Sequence, residues 1–167
     1  MMAREKALKF KPEAIKAIVM ASAGHGISPF DRSLEGSGAI SASWADDVVT
    51  GTLGAWGETT YDCLSPSPFF MANVPLLGGV LTRVAIAWST KDNYSNYFAQ
   101  PSADVNLILL DPSGNSVSPF RGNSYDNTSE WIEFVPASTN VYTLKVEKRR
   151  CDVLPNGIVA YAWWQSH

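Results

Sequence analysis

The sequence predicts a mainly β protein, an antiparallel β-sandwich preceded by a short helical segment, and three observations carry that prediction. From about Thr52 onward the chain breaks into short runs rich in Val, Ile, Tyr and Trp, separated by clusters of Gly, Pro, Asn, Asp and Ser. Several of these runs alternate with period two, the signature of a strand with one buried and one wet face. No helical periodicity intervenes between them, and about seven or eight such strands without crossover helices pack most economically as two stacked sheets.

The first element is helical. In Lys11-Pro12-Glu13-Ala14-Ile15-Lys16-Ala17-Ile18-Val19-Met20-Ala21-Ser22-Ala23-Gly24, the residues Ile15, Ile18, Val19 and Ser22 recur at i, i+3, i+4 and i+7. Pro12 suits the first helical position, Glu13 faces the positive end of the dipole, and Gly24 is expected to supply a left-handed stop. The predicted helix spans about residues 12–23. Gly36-Ser37-Gly38-Ala39-Ile40-Ser41-Ala42 then forms a compact glycine turn leading into Ser43-Trp44-Ala45-Asp46-Asp47, a short element of about one helical turn.

The clearest strands are Val80–Trp88, Asp104–Leu110, Glu130–Val135, Val141–Val146 and Ile158–Trp164. Alternation places Leu81, Arg83 and Ala85 opposite Thr82, Val84, Ile86 and Trp88, and puts Tyr142, Leu144 and Val146 on one side. Asp111-Pro112-Ser113-Gly114-Asn115 reads as a tight turn, with Pro at its second position and Gly free to take a positive φ.

Composition excludes several functions. The 167 residues are 46% hydrophobic and 17% charged, with a net charge of −3, so the chain has a core to bury and no basic footprint for nucleic acid. The basic runs Lys6–Lys11 and Lys145–Arg150 read as solvated faces. The greasiest segment, Phe69–Leu81, is interrupted by Asn73, Pro75 and two glycines, so no membrane span is expected. Met1–Lys6 carries charge with no apolar region behind it, so no secretory signal is expected within the chain. Cys63 and Cys151 have no zinc-type spacing, and a single bridge between them is left open.

The ordered motifs carry a resemblance. Lys11–Ala23 resembles the last long helix of subtilisin-like serine protease domains, and Gly36–Ala42, with Ala45 beyond, resembles the stretch that ends those domains. Residues 52–167 are similar to the jelly-roll-like β-sandwich that follows the catalytic domain in several secreted members of the family. Its motifs occur here in the family's order, as Ile86-Ala87-Trp88, then Asp104–Leu110 with Asp111-Pro112-Ser113-Gly114, then Asn127–Ile132, then Asn140–Val146. Asn106 and Asn140 depart from the pattern, standing where the family has an aspartate and a glycine.

The resemblance implies that residues 1–51 are the end of a catalytic domain and 52–167 a non-catalytic jelly-roll-like domain. The whole would be the C-terminal region of a secreted, extracellular serine endopeptidase, stabilising the protease or assisting substrate engagement. Its expected partner is the catalytic domain of the same parent. The family's nucleophile, aspartate and histidine motifs would lie upstream of residue 1, and no catalytic residue is expected here. His25 reads as a cation at a helix C-terminus and His167 as a terminal residue. The chain alone is therefore expected to hydrolyse nothing and to require no cofactor.

Two ligand readings remain beside this one. Asp104, Asn106, Asp126 and Glu130 are hard oxygen donors near strand ends and form a candidate calcium set, the alternative being strand caps and solvated edge charges. Trp56, Tyr94, Tyr97, Phe98, Tyr125 and the pair Trp163-Trp164 invite a carbohydrate reading, against an interface that covers the parent domain. Asn93-Tyr94-Ser95 and Asn127-Thr128-Ser129 are sequons that imply surface loops. Freed of a parent domain, the Ile15–Ile18–Val19 face is expected to pack on the sandwich or to bury itself in a homodimer. The alternative function is a stand-alone β-sandwich binding module for carbohydrate or protein.

Overall fold

The computed structural model describes residues 8–24, 37–90, 101–117, 127–151 and 157–166. Two helices, α1 (Pro12–Ala21) and α2 (Ala42–Thr50), precede seven strands among the described residues. These are β1 (Gly54–Tyr61), β2 (Phe70–Leu76), β3 (Thr82–Trp88), β4 (Ala103–Leu110), β5 (Ser129–Phe134), β6 (Asn140–Cys151) and β7 (Gly157–Gln165). One sheet has the order β1-β7-β3-β5 and the other β2-β6-β4, every pairing being antiparallel. Each successive strand lies in the opposite sheet, so every connection crosses the sandwich. The result is a jelly-roll-like β-sandwich, as the strand pattern predicts.

The core between the sheets follows from alternation. Val84, Ile86 and Trp88 of β3 face Val105, Leu107 and Leu109 of β4 and Tyr142, Leu144 and Val146 of β6, all buried. Full burial of each aliphatic side chain contributes roughly 1.5–3 kcal/mol before the entropy of ordering is counted. The Trp88 indole N–H donates to the Ala103 carbonyl at 2.8 Å, so this large ring closes the core without stranding its polar atom.

The outer face of the four-stranded sheet is covered by the helices. Alternation leaves Ala85 and Ala87 of β3 and Ala160 and Ala162 of β7 on that face, and α1 buries Ala14, Ala17, Ile18 and Ala21 against them. Small side chains on both surfaces let the helix approach the sheet closely. Ile18, with Ile15 beside it, is therefore seated on the sandwich, the first of the two expected outcomes. The protein has three layers, helices upon sheet upon sheet.

Local chemistry sets the helix boundaries. Pro12 occupies the first turn of α1, but the helix ends at Ala21 with Ser22 as its cap at φ −99°. Gly24 is not the left-handed stop: it exchanges two backbone hydrogen bonds with Ala39, each of 2.7 Å. That ladder ties the end of α1 to the approach to α2. The predicted single turn at Ser43–Asp47 is a full helix, capped by Ser41 at its start and by Gly51, with φ 77°, at its end.

Arg83 clamps the helical segment to the sheet. Its side chain is buried, pairs with Glu133 of β5 at 2.5 Å, lies over the Trp131 ring, and donates to the Ser37 carbonyl at 2.9 Å. Lys11, just before α1, pairs with Glu58 of β1. Cys63 and Cys151 form a disulfide with Cα atoms 5.4 Å apart, joining the β1–β2 crossover to the end of β6. Closing a separation of 88 residues stabilises the fold by about 4–5 kcal/mol in the loop-entropy account. No described helix is long and apolar enough to cross a membrane.

Candidate functional site

Two large surfaces flank the sandwich, and they differ in cover. The helices occupy one; the other, the outer face of the three-stranded sheet, holds the side chains that alternate with the β2 and β6 core residues. Met71, Asn73 and Pro75 of β2 lie opposite Lys145, Thr143 and Val141 of β6 in register. Met71 and Val141 are exposed, and Lys145 pairs with Glu147 at 2.5 Å along the same strand. At one end of this face Pro75, Leu76, Leu77, Thr139, Asn140 and Val141 surround an apolar hollow of about 290 Å³. Gly78 N–H donates to Thr139 Oγ1 at 2.9 Å and Gly79 N–H to the Pro136 carbonyl at 2.8 Å, which fixes the loops bounding the hollow. Leu77, in its rim, is exposed. This face can bind by contact and hydrogen bonding.

Three residues of the calcium set lie among the described residues. Asp104 and Asn106 are buried residues of β4 that alternate with the core residues Val105 and Leu107, and so face away from the inter-sheet core. Glu130 is buried on β5 on the same side as the core residue Ile132, and so is not a solvated edge charge. Asp126 lies outside the described residues. Among the described residues no group of three or more His, Cys, Asp or Glu side chains comes together to hold a metal.

The aromatic candidates are divided between structural roles. Trp163 packs against the inter-sheet core and Trp164 into the helix–sheet layer, where it stacks on Trp44 with ring centroids 4.3 Å apart. Trp164 thus has a partner within its own chain, not in a parent domain or a sugar. Trp56 also joins the helix–sheet layer, beside Lys11. Tyr94, Tyr97, Phe98 and Tyr125, the Asn93 sequon, and both histidines lie outside the described residues. Of the other sequon, Asn127 is exposed just before β5.

The basic run Lys145–Arg150 is not simply a solvated face. Lys148 Nζ donates to the carbonyls of Cys63 and Ser65 at 3.0 and 2.9 Å, and Arg150 Nη2 to that of Pro101 at 2.7 Å. Sequence reasoning missed this because the acceptors are backbone atoms from loops more than forty residues away. Lys16, though exposed, donates to Thr128 Oγ1 at 3.0 Å, and partial desolvation lowers its pKa from the ordinary lysine value. At the β4 turn the backbone N–H of Asn115, together with that of Ser113, holds the Asp111 carboxyl below the usual carboxylate range.

No family model matches the chain, and no curated protein matches it. Among solved structures it is similar to PliG of Aeromonas hydrophila, a periplasmic lysozyme inhibitor of g-type lysozyme. The identity there is 10% over 71% of this chain and 90% of that one, with a TM-score of 0.43. It is also similar to the enzymatically active domain of tailspike protein 4 of bacteriophage CBA120, at 9% identity over 66% of this chain and 19% of that one, with a TM-score of 0.34.

Proposed function

We propose that this chain is the non-catalytic C-terminal region of a secreted subtilisin-like serine endopeptidase, acting by packing and contact. The observation that carries the reading is the seating of α1, the segment that resembles the end of a protease domain, on the alanine-lined face of β3 and β7. A sandwich that shares a core with that helix is held in one orientation to whatever precedes it, unlike a domain hung on a flexible linker. Supporting it, the motifs of the resemblance fall in order on consecutive elements: the end of β3, then β4 with its turn, then β5, then β6. The disulfide accords with an oxidising, extracellular setting. The parent's catalytic domain is the partner in this reading, and no cofactor is required.

The test is the coding sequence upstream of residue 1. An open frame carrying aspartate, histidine and serine triad motifs in that order supports the proposal, and an in-frame stop before Met1 overturns it. A second reading, a stand-alone binding module for carbohydrate or protein, is favoured by the open face of Met71, Asn73 and Thr143 and the hollow beside it. A glycan array distinguishes the two, since saturable binding that is lost in N73A/T143A belongs to the second.

A further inference from the structure

The β1–β2 crossover is held to β6 covalently by the Cys63–Cys151 bridge and by hydrogen bonds, among them Lys148 N–H to Ser67 Oγ at 3.3 Å. Asp62 first shapes the turn: its carbonyl accepts from Ser65 N–H at 3.0 Å and its Oδ1 from Leu64 N–H at 2.9 Å. Two carbonyls of this turn, those of Cys63 and Ser65, then converge on Lys148 Nζ, which also lies over the Phe69 ring at 5.5 Å. Phe69 N–H donates to the Val146 carbonyl at 3.0 Å, anchoring the far end of the crossover to the same strand. On the other side of β6, Arg150 grips the Pro101 carbonyl immediately before Cys151. None of these contacts involves a sulfur atom, and all of them flank the bridge, whose two Cα atoms lie 5.4 Å apart.

We propose that Lys148 is the positioning residue for the Cys63–Cys151 bridge, its ammonium seating the crossover turn so that the two thiols face each other before they are oxidised. In glutathione the exchange balances as two protein thiols and one oxidised glutathione giving one protein disulfide and two reduced glutathiones. Whatever seats the dithiol form raises the effective concentration of one thiol at the other, and so favours the bridge by the same factor.

Equilibrating the 167-residue protein in glutathione buffers and quantifying trapped thiols measures that factor. K148M is expected to lower the effective concentration about tenfold, since it removes two charge-assisted hydrogen bonds. K145M, which removes only the surface partner of Glu147, is expected to leave it unchanged. A K148M value within twofold of the unsubstituted protein overturns the proposal, as does an equal fall in K145M. Should K148M fail to fold, amide exchange of the reduced, unsubstituted protein decides. Protection retained at Phe69, whose amide donates to Val146 of β6, supports the seating, and exchange at the free-peptide rate refutes it.

Discussion

Strand β7 belongs to two cores, and they are built on different terms. Its inward residues Val159, Tyr161 and Trp163 meet branched and aromatic side chains from the opposite sheet. Its outward residues Ala160, Ala162 and Trp164 meet a helix. In the first core large side chains interdigitate, and the indole N–H of Trp88 finds a carbonyl. In the second, small residues allow backbone layers to approach, and the buried Trp164 Nε1 has no hydrogen-bond partner among the described residues. A buried donor left in this way costs about 1–3 kcal/mol. The inter-sheet core is therefore expected to contribute more to stability, while the helix–sheet core supplies attachment. That attachment depends on shape and on a few clamps such as Arg83.

Substitutions can break each side separately. The largest effect is expected from Leu107→Ala between the sheets, which should cost about 3–4 kcal/mol in urea unfolding and lose both layers in one transition. Arg83→Met is expected to cost about 2–3 kcal/mol, because it leaves the partly buried Glu133 carboxylate without its ion pair and releases the Ser37 carbonyl. Near-UV circular dichroism should show the Trp44–Trp164 signal weakening before the sandwich melts. Ala162→Leu is expected to cost about 1–2 kcal/mol by wedging α1 from the sheet, leaving the inter-sheet core intact. An Ala162→Leu cost equal to that of Leu107→Ala would erase the distinction between the cores.

The smallest effect concerns the β4 turn. Because its folded pKa is depressed, Asp111 contributes stability that is present above its unfolded value of about 3.9 and is lost as pH falls through the lower folded value. The Asn115 amide resonance should shift in that acid range, and Asp111→Asn should abolish the shift while hardly moving the unfolding midpoint.

The legible parts of the fold were those with local causes. Alternation in Val80–Trp88 and Val141–Val146 marked both strand and inward face, and Asp-Pro-Ser-Gly-Asn marked its turn. β1 and β2 were hidden because their residues answer to distant neighbours. Gly57 weakens any strand reading of Gly54–Tyr61, yet a Cβ there would lie 2.6 Å from the Tyr161 ring paired across from it. Pro75 argues against a strand and is tolerated because β2 is an edge. The candidate site was less legible. Hard donors at strand ends look alike in a sequence, whether they turn inward like Glu130 or outward like Asp104. The helix at Pro12 was readable, but its seat was not, since alanines at 85, 87, 160 and 162 carry no directional signal until β3 and β7 are neighbours.

Native-state hydrogen exchange compares the two layers most directly. If helix and sandwich form one cooperative body, the Ile18 and Ala21 amides of α1 will exchange only through the opening that also exposes Ala85 in β3 and Ala162 in β7, with a common free energy and denaturant slope. Exchange of the α1 amides at near free-helix rates, while β3 and β7 stay protected, would contradict the account.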